Sequence, residues 1–68
     1  MNNPAFYDRV EAYTERASRL FPNRTTFSKR ELALIADKSP QTIYNNRERY
    51  NFRSPKISIK EFVRMEIN

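Results

Sequence analysis

Residues 28–47 read Ser-Lys-Arg-Glu-Leu-Ala-Leu-Ile-Ala-Asp-Lys-Ser-Pro-Gln-Thr-Ile-Tyr-Asn-Asn-Arg, two short helical signatures joined by three polar residues. The first opens on a capping box. Ser28 is the N-cap, Glu31 follows three residues later, and Phe27 and Leu32 flank them as a hydrophobic staple. Leu32, Ile35 and Ala36 then point to a core, and Ala33 sits where a steep helix crossing needs a small side chain. Asp37-Lys38-Ser39 forms the turn, with Ser39 as the next N-cap and Pro40 in the first helical turn, where its missing N–H costs nothing. Ile43 is the one strongly apolar residue of the second helix. It must be the anchor, which turns Gln41, Thr42, Tyr44, Asn45 and Glu48 outward, while Asn46, Arg47 and Tyr50 continue the face of Ile43 towards partial burial. This spacing predicts a helix-turn-helix over residues 28–49.

Outward from that unit the chain offers three more elements. Before it, a helix over residues 3–21 starts on Asn3 as N-cap and Pro4 at the first helical position. Phe6, Val10, Tyr13, Ala17 and Leu20 fall at helical spacing and make one apolar stripe. Glu15 and Arg19 are placed to pair at i,i+4. The stripe either closes the core over the helix-turn-helix or mediates self-association. Phe21-Pro22-Asn23-Arg24 then suits a type I turn. After the unit, residues 50–57 alternate Tyr50, Phe52 and Ile57 around a Ser-Pro break, which suggests two very short strands, a small wing with Arg53 and Lys56 near its tip. The chain has no Gly, so a tight primed hairpin is disfavoured, and the alternative to a wing is an ordered loop. Ser58 and Glu61, with Ile57 and Phe62 as staple, repeat the capping signature and open a last helix over 58–67 that buries Phe62, Val63 and Met65. The expected architecture is mainly α: one domain over residues 1–68, four helices in all, with a short wing and an extra N-terminal helix.

Composition bounds the function. The 68 residues carry 13 Lys and Arg against 8 Asp and Glu, a net charge of +5, and the excess is not spread evenly. Residues 1–22 are neutral, whereas residues 38–60 hold Lys38, Arg47, Arg49, Arg53, Lys56 and Lys60 against Glu48 alone. A clustered excess of this kind suits a polyanionic partner. With no Cys and no His, disulfide stapling, zinc fingers and His-based catalysis are excluded, and a reducing cytoplasm is expected. The longest apolar run, Leu32 to Ala36, is far short of a membrane span. No cofactor, metal or small-molecule ligand is expected.

The order helix, turn, helix, short wing, capped helix resembles the excisionase-type branch of the winged-helix DNA-binding domains, which is related to the reading heads of mercury-resistance-type regulators. The resemblance covers residues 25–67 and rests on Phe27-Ser28-Lys29-Arg30-Glu31-Leu32-Ala33, Ser39-Pro40-Gln41-Thr42-Ile43-Tyr44 and Ile57-Ser58-Ile59-Lys60-Glu61-Phe62. The Ser-x-Gln-Thr-apolar segment also resembles the recognition helix of lac-repressor-type proteins. The chain departs from the pattern at Asp37, where many such turns carry Gly, and at Lys38, where they carry a small apolar residue.

The resemblance implies double-stranded DNA as partner, with the second helix in the major groove and the wing on the backbone or minor groove. By position, Gln41 and Asn45 become base readers with Tyr44 beside them. Four residues apart, either amide has the donor and acceptor that match an adenine edge. Ser39 and Thr42 would hold phosphates or methyl groups, Arg53 and Lys56 would fall in the wing, and Lys38, Arg47 and Arg49 would contact backbone phosphates. It further implies a phage or prophage protein acting at the nucleoid of a bacterial host. An excisionase assists an integrase and self-associates along DNA, whereas a repressor or activator binds an operator; residue chemistry does not separate the two.

Two readings from other classes compete. Tyr44 with Arg47 and Arg49 superficially matches a tyrosine-recombinase constellation, but the chain is too short to enclose a catalytic pocket and supplies no His for proton transfer, so no catalytic residue is expected. A protein-binding module aimed at a host factor would instead show an apolar patch away from the second helix.

Overall fold

A computed structural model describes residues 4–67, and Asn3, the expected first N-cap, lies outside them. Four helices form: α1 Pro4–Leu20, α2 Lys29–Ile35, α3 Pro40–Asn45 and α4 Ile59–Ile67. The expected mainly α architecture of four helices is what the chain adopts.

The local signals explain most boundaries. Ser28 Oγ accepts the Glu31 amide at 3.3 Å and the Glu31 carboxylate accepts the Ser28 amide at 2.8 Å, so the capping box of α2 is reciprocal. Arg24 adds a two-pronged pair with the same carboxylate, which holds the Glu31 carboxyl down at about 2. The last turn of α2 closes as a Schellman motif: Lys38 N–H reaches Ala33 O at 2.8 Å, Asp37 N–H reaches Leu34 O at 3.2 Å, and Asp37 is left-handed with φ 57°. Asp does here what Gly does in many such turns. Ser39 then accepts the Thr42 amide at 3.2 Å with Pro40 behind it.

Between α1 and α2 the turn differs in type from expectation. Asn23 stands at the third place with φ 65°, whereas a type I turn carries a negative φ there; the sign is that of type II, and Asn is among the residues that tolerate it.

The core is one cluster to which every helix contributes: Ala17 from α1, Leu32, Ala33 and Ile35 from α2, Ile43 from α3, and Ile59, Phe62 and Val63 from α4, joined by Phe27, Tyr50 and Ile57 from the connections. Phe6, Val10 and Tyr13 pack against it from α1, so that stripe closes the core. Leu20, at its end, is 48% exposed, because the chain turns away there at Phe21 and Pro22. Asn46 and Arg47 are also exposed and only Tyr50 of that trio is buried, because α3 ends at Asn45 and a turn over residues 46–49 replaces the continued helix.

The expected wing is not a hairpin. Among the described residues no strand forms, and residue 57 pairs with the start of the helix-turn-helix through a single antiparallel bridge, Phe27 N–H to Ile57 O at 2.9 Å and Ile57 N–H to Phe27 O at 3.0 Å. Tyr50 stacks on Phe62 at 5.2 Å and Phe52 meets the same ring edge-on at 6.4 Å. Their alternation therefore reports two aromatic side chains tucked onto α4 along an irregular loop.

Glu66 is the feature that periodicity did not reveal. Its side chain is 2% exposed, yet it is a carboxylate. Tyr13 OH donates to its Oε1 at 2.8 Å with Arg9 Nη1 at 3.5 Å, while Lys38 Nζ and Tyr50 OH donate to Oε2 at 2.5 and 2.9 Å. Burial pushes this carboxyl up, but the bonds from Lys38, Tyr13 and Tyr50 and the charge of Lys38 outweigh it and hold it below its ordinary value. Burial and the bond to Glu66 raise the Tyr13 phenol.

Candidate nucleic-acid interface

Because Ile43 points inward, the opposite side of α3 presents Gln41, Thr42, Tyr44 and Asn45 to solvent. Gln41 Nε2 donates to Asn45 Oδ1 at 2.9 Å, one turn on, which locks the two amides together. The linked pair still has the Gln41 carbonyl and the Asn45 amide N–H groups to offer, an acceptor and a donor of the kind an adenine edge pairs with. The Ser39 and Thr42 hydroxyls lie 2.9 Å apart at the start of the helix. Tyr44 is 62% exposed, with the Arg47 guanidinium 4.8 Å from its ring centroid, so it is a surface platform and not core packing.

The cations divide into two sets. Lys38 and Arg49, expected on phosphates, both have internal partners: the Lys38 ammonium turns inward onto Glu66 and Tyr50, while Arg49 stays exposed and donates Nη1 to the Glu66 backbone carbonyl at 3.0 Å near the end of α4. Lys38 would have to break its bonds to Glu66 and Tyr50 to reach a phosphate, whereas the Arg49 guanidinium keeps further N–H groups free to donate. Lys38 is sent inward because it occupies the position after the left-handed residue of the Schellman motif, which faces back onto the protein. Arg47, Arg53 and Lys56 remain exposed.

Lys29 and Arg30 join the second set, although they fall outside the charge cluster at residues 38–60. They line one cleft with Pro40, Ile43, Tyr44 and Arg47, and a second with Phe52 and Arg53 of the loop; none of the described residues lining either cleft is acidic. Lys29 also lies 5.3 Å over the Phe52 ring. The two clefts meet at Lys29 and Arg30, so α3, the start of α2 and the loop after α3 share one cationic surface with an apolar floor. The available signal was their place at the first helical positions after Ser28, which directs them along the outside of the capped turn.

Elsewhere on this surface Asn45, Asn46, Arg47 and Arg49 group with Glu48. No cluster of potential metal ligands occurs among the described residues, and none of their helices is long and apolar enough to cross a membrane. No protein-family model, curated protein or solved structure matches the chain.

Proposed function

We propose that the protein binds double-stranded DNA sequence-specifically, with α3 in the major groove and Lys29, Arg30, Arg47 and Arg53 on flanking phosphates. The observation that carries this reading is the pairing of an exposed polar helix face, Gln41 to Asn45, with the flanking cations Lys29, Arg30, Arg47 and Arg53, which line two adjoining clefts free of acidic residues. Phosphate contacts position a protein and base contacts specify its site, and this surface has groups for both. The resemblance of the sequence to excisionase-type domains supports a small phage accessory factor that assists an integrase and also acts on transcription. A phage repressor or activator is the second role within the same chemistry.

Gln41 tests the reading. Gln41→Ala should cost about 1–3 kcal/mol on the preferred duplex, chosen by selection from a random library, while non-specific affinity and folding stay nearly unchanged. Affinity for the selected and a scrambled duplex at one fixed salt concentration gives the ratio directly. An unchanged ratio would remove α3 as the reading element and favour a protein-binding module.

The salt dependence tests the rim. Five outward cations, Lys29, Arg30, Arg47, Arg53 and Lys56, should give a slope of log affinity against log salt of about −4 to −5. Replacing Lys29 and Arg30 by Ala should make it shallower by roughly 2 and weaken binding to all sequences alike. A wild-type slope near zero argues against any backbone footprint.

A further inference from the structure

The helix that carries the proposed reading face is six residues long and has one buried side chain, Ile43. A single apolar anchor sets the depth at which a helix docks but leaves its tilt and rotation weakly fixed. What fixes them here is bonded to Glu66. Lys38 immediately precedes the N-cap Ser39, and Tyr50 ends the turn that follows α3; both donate to the same oxygen, Glu66 Oε2, and Lys38 Nζ also reaches Tyr50 OH at 3.2 Å. Arg49, beside Tyr50, donates to the backbone carbonyl of Glu66. The other carboxylate oxygen is held from α1 by Tyr13, with Arg9 behind it.

We infer that Glu66 is the positioning residue of α3: a buried carboxylate on α4 that ties down the chain on either side of the helix, at Lys38 before it and at Tyr50 after the turn that follows it, and so sets the angle at which Gln41 and Asn45 are presented. The inference rests on the proposed reading of DNA by α3. A buried, fully bonded charge is a weak source of stability compared with well-packed apolar groups, but its bonds are directional, which apolar contacts are not. Pivoting α3 about Ile43 moves the Gln41 and Asn45 amides sideways without exposing the core, so a loosened bracket blurs reading before it unfolds the domain.

The test uses Glu66→Gln, which keeps the shape and removes the charge, and the double variant Lys38→Met with Glu66→Leu, which removes both charges together. Amide hydrogen exchange is followed on the free protein, and affinity is measured on the selected and scrambled duplexes at one salt concentration, well below the melting midpoint. In the double variant the midpoint should fall less than in Glu66→Gln, because no unpaired charge is left and only the Tyr13 and Tyr50 hydroxyls lose their acceptor, while amides of residues 42–50 exchange at least about tenfold faster relative to those of α1. The specific-to-scrambled ratio should fall about tenfold with scrambled affinity nearly unchanged. Glu66→Gln should lower the midpoint further, since it leaves the Lys38 ammonium without its carboxylate, with a smaller change in protection and ratio because the amide oxygen still accepts. Unchanged protection of residues 42–50 in the folded variants overturns the bracketing, and so does a ratio that recovers together with the midpoint in the double variant. If the wild type prefers no duplex, the DNA reading fails while exchange alone decides whether Glu66 holds α3.

Discussion

Ile43→Ala should destabilise the domain by about 2–4 kcal/mol and lower the midpoint of a thermal melt by about 10 °C or more. Ile43 is 3% exposed and is the one buried residue of α3, so truncation leaves a cavity where this helix enters the core. A loss of that size is a large share of what a domain of 68 residues has in total. Tyr44→Ala is the matched control. Its ring lies on the opposite, exposed face, and its removal should change stability by no more than about 0.5 kcal/mol. Equal midpoints for wild type and Ile43→Ala would mean that α3 docks through some other contact.

Lys38→Met should cost a similar amount, about 2–4 kcal/mol at neutral pH, for a different reason. It leaves the Glu66 carboxylate buried without its closest cation, and breaking one side of a buried pair is far more damaging than replacing both. The lower part of that range is expected, because Lys38 is itself about a third exposed (34%) and the two tyrosines remain bonded to the carboxylate. Acidification gives an independent signature. Glu66 titrates below the ordinary carboxylate value in the folded state. The stability it contributes is therefore complete above the unfolded carboxylate range, near 4.3, and is lost as pH falls through the lower folded value. The wild type and Lys38→Met should converge in stability at strongly acid pH, where Glu66 is protonated in both. Melts from neutral to acid pH check this. A Lys38→Met protein as stable as the wild type at neutral pH would show that the ion pair is dispensable.

Elements announced by short-range chemistry were legible in the sequence. Ser28 with Glu31, Ser39 with Pro40, and Ser58 before α4 each put a helix start where the structure has one, because a cap satisfies amides within three residues of itself. Ile43 was legible for the same reason: it has no apolar competitor within α3. What depended on distant partners was not. Glu66 lies 53 residues from Tyr13 and 28 from Lys38, and a Glu near the end of an amphipathic helix reads as a solvated charge until the fold brings those donors together. Lys38 counted towards a basic face because charge can be summed along a chain, but the direction of a side chain, here inward to Glu66, cannot. The alternation of Tyr50 and Phe52 was real, yet it marked two aromatic rings seeking Phe62 and not a strand seeking a partner. For the proposed interface, the polar face of α3 was readable from Ile43 alone, whereas Lys29 and Arg30 needed the loop and α3 folded around them.

Among the described residues two are left-handed, Asn23 and Asp37, in a chain without a single Gly. Each accepts a backbone conformation that costs a residue with a side chain roughly 1–2 kcal/mol, the penalty Gly avoids. The same absence narrows the unfolded ensemble, since a chain without Gly has fewer backbone states to surrender on folding, a difference of about 0.4–1 kcal/mol at each position. At these two bends the unfolded-state gain offsets part of the folded-state cost. The chain thus makes sharp turns while its disordered form stays comparatively stiff, and part of its fold's stability resides in conformations the unfolded molecule never visits.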